Sequence, residues 1–192
     1  MRSKKILFLI EVAIFAGLAL ALDLIPFLKF KIWAQGGSIS FAMLPIFIVA
    51  FRWGVKGGLL AGFIWGMLQI PLGGLVYHPV QAFIDYTLAF TVLGFAGIFA
   101  KRIQQAVKED RPKAYFTYII SGIFLGSMLR FAAHVVAGVA FFAEFMPEGW
   151  DNIWLYSFVY NVSYIIPSFL LCALAIFFLF NKQPKIVLQT DA

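Results

Sequence analysis

The feature that most constrains this chain is a series of long apolar segments separated by short polar connections. A helix that crosses a bilayer needs about 20 mostly apolar residues. The sequence offers six candidate spans, at about 6–26, 39–53, 55–71, 79–100, 114–142 and 152–180. Only 12% of the residues are charged, whereas a soluble domain has roughly 25%. We therefore predict an all-α membrane domain over residues 1–192, a bundle of six transmembrane helices in the lipid bilayer.

The distribution of Lys and Arg predicts the orientation of the spans, because cytoplasmic connections are enriched in basic residues. Lys29 and Lys31 lie between spans one and two, and Arg130 lies within span five. The other basic residues fall at the termini and in the connections after spans two and four: Arg2, Lys4, Lys5, Arg52, Lys56, Lys101, Arg102, Lys108, Arg111, Lys113, Lys182 and Lys185. We therefore predict that both termini are cytoplasmic, in a prokaryotic cell membrane. The net charge of +6 then reflects topology rather than a nucleic-acid partner.

Two connections differ in character. KRIQQAVKEDRPKA, between spans four and five, is expected to form a polar cytoplasmic loop with at most a helical turn. FLKFKIWAQGGS, between spans one and two, is expected to form an amphipathic outer segment hinged at its glycines. No signal-peptide cleavage pattern follows the first apolar stretch, so we interpret it as a true span.

Missing motifs exclude several functions. The sequence has no phosphate-binding P-loop, so the chain is not expected to hydrolyse ATP itself. It has neither HExxH nor Gly-x-Ser-x-Gly. Its 2 histidines and 1 cysteine, Cys172, are too few for a typical zinc enzyme or an intrachain disulfide. We therefore expect neither an enzyme nor a bound cofactor or metal.

Charged residues within the spans indicate a candidate site, because a charge near the bilayer centre costs about 2.5–3.5 kcal/mol. Asp85 in span four either pairs with Arg130 or a buried hydroxyl, or faces an outward-opening cavity that attracts a cation. Arg130, His134 and Gly138 recur every fourth residue and so share one face of span five. Gly138, which lacks a side chain, would let a ligand approach the helix backbone.

Asn161 in span six and a group of aromatic residues complete the predicted pocket. Asn161 either bonds another helix or binds a ligand. The aromatic residues cluster at the outer ends of the spans: Trp33, Tyr77, Phe141, Phe142, Trp150 and Tyr156. Aromatic faces beside a carboxylate suit a flat organic cation, and imidazole and amide groups hydrogen-bond a heteroaromatic edge. We predict a small pocket at the outer ends of spans four to six.

Span one carries a stripe of small residues at Ala13, Gly17 and Ala21. Such stripes allow close helix contacts in lipid, so this one either packs inside the protein or docks a partner membrane protein. Glu11 and Asp23, near the two ends of the same span, are expected to have mainly structural roles.

With these residues in view, the sequence resembles the thiamine-specific substrate-binding components (S-components) of energy-coupling factor transporters, the ThiT family. The resemblance rests on segments from nearly the whole chain: KIWAQGGS, LPIFIVAFRWGVKGGLLAGFIWGML, VYHPVQAFIDY, RFAAHVVAGVAFF and YSFVYN. It implies a six-helix protein that binds thiamine with high affinity near its outer face. It also implies docking to an energy-coupling module of one transmembrane coupling subunit and two ATPase subunits.

The resemblance further implies roles for individual residues. Asp85 matches a position where the family usually has glutamate, and Phe142 matches the tryptophan on which the family stacks its ligand. The family's docking motif matches Ala13 and Gly17. The other implied ligand-binding positions are Trp33, Trp65, Tyr77, Tyr86, Arg130, His134, Gly138, Tyr156 and Asn161.

Three other functions stay open. An S-component for another heteroaromatic vitamin would use the same pocket. A stand-alone proton-coupled transporter would use Asp85 as its proton site. An intramembrane enzyme would use Asp85 and His134 as acid and base, although no second carboxylate or metal set accompanies that pair.

Overall fold

The computed structural model describes residues 2–33 and 36–189, with only the backbone of Arg2. Within this part of the chain, five helices are long and apolar enough to cross a membrane. They are α1 (Arg2–Leu24), α2 (Leu44–Gln69), α3 (Pro79–Lys108), α4 (Pro112–Phe141) and α5 (Ile153–Lys182). Short 3₁₀ turns occupy Pro26–Leu28, Ala143–Phe145 and Pro184–Val187.

An antiparallel hairpin joins α1 to α2, where the sequence predicted an outer loop and the start of span two. Its strands are β1 (Lys29–Trp33) and β2 (Gly36–Ser40), with Lys29 opposite Ser40 and Trp33 opposite Gly36. This pair of strands was not predicted and is a departure from the predicted all-α class. The physical reason is the period-two alternation of lysine with Phe30 and Ile32 in β1, which is typical of a strand. Ala34 and Gln35 of the predicted outer segment lie outside the described residues.

Predicted spans two and three both lie in α2, on either side of Gly54. Gly54 has φ 73° and ψ −167°, a conformation that only glycine adopts readily. Arg52, just before this residue, contacts Glu11 in α1, whereas Gln69 at the end of α2 contacts Asp23 at the far end of α1.

The β hairpin shows that the chain reverses direction at Gly54. Lys29 of β1 contacts Asp23, so the hairpin and Gln69 lie at the same end of α1. The chain therefore runs from the hairpin to the level of Glu11 and then back again. We call these two ends of the molecule the hairpin end and the Gly54 end.

Helix α3 continues through most of the predicted loop between spans four and five. Its last segment, Ala100–Lys108, buries Ala100, Ile103 and Ala106. Lys101, Arg102 and Lys108 on the opposite face are exposed. The loop prediction was wrong because this segment is amphipathic, so its polar residues occupy one side of a continuing helix.

The middle of α3 is irregular. A π-helical turn covers Phe83–Leu88 and a 3₁₀ segment covers Val92–Phe99. The glycines of α2 allow this backbone to approach closely, since a Cβ on Gly62 or Gly66 would collide with the carbonyl groups of Phe90 and Tyr86. Such π turns occur frequently at functional sites, and this one includes Asp85.

Helix α1 has one buried face and one exposed face. Val12, Ala16 and Ala19 are buried, whereas the small-residue stripe of Ala13, Gly17 and Ala21 is exposed. Apart from the adjacent residues and the backbone of α1 itself, no atom of the described residues lies within 4 Å of the position that a Cβ of Gly17 would occupy. Internal packing of the stripe, one of the two sequence alternatives, is therefore wrong.

The Gly54 end is held by an ion pair. Glu11 accepts hydrogen bonds from Nε and Nη2 of Arg52 at 2.5 and 2.9 Å, and from the indole N–H of Trp53 at 2.6 Å. Arg52 Nη1 donates to the carbonyl groups of Ile186 and Leu188 in the C-terminal segment. The arrangement joins α1, α2 and the C-terminal segment.

Candidate functional site

A cavity of about 180 Å³ lies at the hairpin end, among the hairpin and the adjoining ends of α1 to α5. Eight of the residues singled out from the sequence line it: Asp85, Tyr86, Arg130, His134, Gly138, Phe142, Tyr156 and Asn161. The four-residue spacing of Arg130, His134 and Gly138 on α4 therefore correctly predicted one wall of the cavity.

A chain of hydrogen bonds crosses the wall between α3 and α4. His134 Nδ1 lies 2.9 Å from Asp85 Oδ1, and Gln81 Nε2 donates to Asp85 Oδ2 at 2.8 Å. Arg130 Nε donates to His134 Nε2 at 3.2 Å. Because a guanidinium group only donates, His134 Nε2 accepts, and the proton of this neutral imidazole is on Nδ1 toward Asp85. Asp85 pairs with His134 and not with Arg130, contrary to the structural alternative considered above.

Arg130 is held by aromatic faces. Its guanidinium carbon lies 4.5 Å from the ring centre of Phe90 and 5.5 Å from that of Trp65. Within the described residues it forms no ion pair with a carboxylate. The cavity wall therefore holds a cation whose charge is balanced only by aromatic rings and more distant groups.

Asn161 forms hydrogen bonds with two other residues of α5 that line the cavity. Its Nδ2 donates to the Ser157 carbonyl at 2.8 Å, and its Oδ1 accepts from the hydroxyl of Tyr164. Gly138 faces this group, and a Cβ there would collide with the Ser157 side chain. The glycine therefore lets α4 and α5 approach closely beside the cavity, a reason different from the ligand approach that we expected.

Three predicted ligand-binding residues do not line the cavity. Trp33 donates to Ser163 Oγ at 2.9 Å and packs against Tyr160, which does line it. Trp65 is buried beneath Phe90, with ring centres 4.2 Å apart. Tyr77 is half exposed and packs edge-on against Phe142. Each supports a lining ring from behind.

Sequence reasoning missed several lining residues. They are Asp23, Lys29, Lys31, Gln69, Gln81, Phe90, Ser157, Tyr160 and Tyr164, with Gly36, Gly37 and Ser38 of the hairpin and residues 73–75. Tyr160 and Tyr164 follow Tyr156 at four-residue spacing, so the signal that identified Arg130 and His134 on α4 could also have found them.

With the geometry described, comparisons with known proteins identify the family. The family model of the Thiamine transporter protein (Thia_YuaJ) matches residues 9–188. The chain belongs to this thiamine transporter family. Its members are transporters, so the intramembrane enzyme is no longer an open alternative, and the predicted multi-pass location in the cell membrane is confirmed.

Individual relatives match over almost their full length. The chain is 41% identical to thiamine transporter ThiT of Bacillus subtilis, over 100% of this chain and 99% of the relative. It is 30% identical to thiamine transporter ThiT of Lacticaseibacillus paracasei, over 98% of this chain and 94% of the relative. The solved structure of ThiT from Listeria monocytogenes matches with a TM-score of 0.89 at 30% identity, covering 97% of this chain and 100% of that one. The resemblance found in the sequence is confirmed.

Proposed function

We propose that this protein is the thiamine-binding subunit of an ATP-driven vitamin uptake transporter. The observation that carries the proposal is the pair of Asp85 and His134, hydrogen-bonded at 2.9 Å in the wall of a cavity lined by aromatic rings. Thiamine joins an aminopyrimidine, which has donors and acceptors on its edge, to a flat cationic thiazolium. A carboxylate, an imidazole and an amide suit the first ring, and aromatic faces suit the second.

The lining residues divide between the parts of thiamine. Asp85, His134, Tyr156 and Asn161 hold the aminopyrimidine, and Phe142 with neighbouring aromatic residues covers the thiazolium. Tyr86 lies near the hydroxyethyl end. Trp33, which the resemblance implied as a ligand-binding residue, acts through Tyr160 in this arrangement.

Calorimetry of the purified protein with thiamine tests this proposal directly. Binding without ATP or a partner subunit is expected of a binding subunit. Tighter binding of a different heteroaromatic vitamin, such as riboflavin, would favour the alternative S-component. Thiamine uptake by the protein alone, driven by a proton gradient, would favour the stand-alone transporter.

We further propose six spans with both termini cytoplasmic, the hairpin end being the outer end. The reversal at Gly54 supports a division of α2 into two spans, and Arg52 and Lys56 then lie on the cytoplasmic side. Single cysteines introduced into a Cys172→Ala background test this topology. Residues 105 and 185 should be labelled from the cytoplasm and residue 148 from outside. External labelling at 105 would contradict the proposal.

Transport also requires a contact with the energy-coupling module, and we place it on the exposed stripe of Ala13 and Gly17. Gly17→Trp should block uptake and leave thiamine affinity nearly unchanged, because α1 has open space at this position and close helix contacts in lipid depend on small residues. Leu18→Trp, at an exposed neighbouring residue outside the stripe, is the control. Lost binding in Gly17→Trp, or normal uptake, would contradict docking through this face.

A further inference from the structure

Asp23 is a second carboxylate in the wall of the cavity. It extends the buried face of Val12, Ala16 and Ala19 at the end of α1 and is only 9% exposed. Together with Asp85 it lines the same cavity. The role predicted from the sequence was structural, so the position of this carboxylate needs a separate explanation.

Two donors hold Asp23. Gln69 Nε2 at the end of α2 donates to one carboxylate oxygen, and Lys29 Nζ lies 3.3 Å from the other. The amide belongs to the helical frame, whereas the lysine belongs to the hairpin. The Lys29 side chain is 24% exposed and that of Asp23 is 11% exposed, so the lysine is the more solvent-accessible partner of the pair.

The charges around the cavity leave a cationic ligand short of a counter-charge. Asp85 keeps its negative charge, because its partners His134 and Gln81 are neutral, but the lining also holds the cations Lys29, Lys31 and Arg130. Arg130, without a carboxylate partner among the described residues, adds a positive charge to the same wall. Asp23 lines the same cavity as Arg130. It is the one other lining carboxylate among the described residues.

We propose that Asp23 is the counter-charge for the cationic ring of the ligand, and that Lys29 and this ring compete for it. The proposal rests on the function proposed above, because it takes the thiazolium of thiamine as the cation. A thiazolium nitrogen carries no hydrogen, so its charge is recognised by proximity to an anion and by aromatic faces rather than by a hydrogen bond. Phe142 supplies a weaker face than tryptophan would, which leaves more of the recognition to a carboxylate.

Thiamine and its neutral analogue deazathiamine together test whether Asp23 responds to the charge of the ligand. Deazathiamine has a neutral thiophene in place of the thiazolium and the same aminopyrimidine. Asp23→Asn keeps the size of the side chain and its ability to bond Gln69. It should lower thiamine affinity by about tenfold, equivalent to roughly 1.4 kcal/mol, and change deazathiamine affinity less than about twofold. Equal losses for both ligands would show that Asp23 only holds the wall together and would overturn the proposal, as would no loss for either.

Lys29 provides an independent test if Asp23→Asn does not fold. Lys29→Gln removes the competing cation and should raise thiamine affinity by about threefold or more, without changing deazathiamine affinity. Lys31→Gln is the matched control, because it makes the same charge change on the same face of β1 and Lys31 has no ion pair to Asp23. A gain in Lys31→Gln as large as in Lys29→Gln would overturn the competition, as would unchanged or weaker thiamine binding in Lys29→Gln.

These outcomes are separable from failure of the proposed function. If the unmodified protein does not bind thiamine in calorimetry, the proposed function fails before any variant is compared. If it binds thiamine and the Asp23 and Lys29 variants do not discriminate between the two ligands, only the counter-charge proposal fails.

Discussion

Glu11 at the Gly54 end and Asp85 at the hairpin end have partners of different kinds. At the Gly54 end, Glu11 is paired with Arg52 and Trp53, and the remaining donors of Arg52 bind the C-terminal segment. At the hairpin end, Asp85 is paired with a neutral histidine rather than a guanidinium, beside a cavity of about 180 Å³. The network around Glu11 joins three segments of the chain, whereas the network around Asp85 lies in the wall of a cavity.

This difference separates stability from binding. When protein partners use all the polar groups of a buried network, the network can hold the fold but cannot exchange partners with a ligand. Groups at a cavity wall can make that exchange at little cost, because the ligand replaces the hydrogen bonds that it displaces. We therefore expect substitutions at the Gly54 end to act on folding, and substitutions at the hairpin end to act on thiamine affinity.

The largest effect is expected for Glu11→Gln. This change leaves Arg52, whose side chain is only 13% exposed, without its counter-charge and should lower the free energy of unfolding by about 3 kcal/mol. The measurement is chemical unfolding in detergent micelles. Glu109→Gln is the matched control, because it removes a Glu–Arg pair to Arg111 that is 43% and 56% exposed and should cost less than about 1 kcal/mol. Equal losses in both variants would contradict the contrast between buried and exposed pairs.

The next effect concerns the hairpin end. Asp85→Ala, His134→Ala and Asn161→Ala should each weaken thiamine binding by roughly 1–3 kcal/mol, since each leaves a buried polar partner unsatisfied. Titration calorimetry on variants that retain their unfolding midpoint measures this. Asp151→Ala, at an exposed residue before α5, should bind like the parent. Unchanged affinity in all three cavity variants would place the site elsewhere.

Much of the fold could be predicted because hydropathy alone specifies helices in a bilayer. The predicted spans 114–142 and 152–180 correspond to Pro112–Phe141 and Ile153–Lys182. The hairpin was missed because Lys29–Trp33 is short and its alternation also fits an amphipathic loop. The end of α3 was missed because polarity was taken to indicate a loop, although the buried residues have a helical period.

The site could be predicted where spacing carried the information. Arg130, His134 and Gly138 lie on one helical face, and that face lines the cavity. The spacing of residues along a helix does not show how far a side chain lies behind the cavity wall. Buried Trp65 was therefore not distinguished from a ring that lines the cavity. Asp23 was missed because a carboxylate near a helix end is usually solvated at the membrane interface. Only the fold shows that α1 directs it inward.

The smallest effect is expected at the aromatic wall of the hairpin end. Phe142, the residue after α4, lies edge-on to Tyr77 with ring centres 5.7 Å apart and lines the cavity. Because tryptophan has the better face for a cation, Phe142→Trp should hold or improve thiamine affinity, by about 0.5–1 kcal/mol, and Phe142→Ala should weaken it by a similar amount. Phe141→Trp is the control, since Phe141 stacks on His78 away from the cavity. Deazathiamine should respond less than thiamine, because its ring is neutral. If both Phe142 variants bind thiamine like the parent, this ring only packs against its neighbours, and the cation is recognised by the carboxylates and the other lining rings.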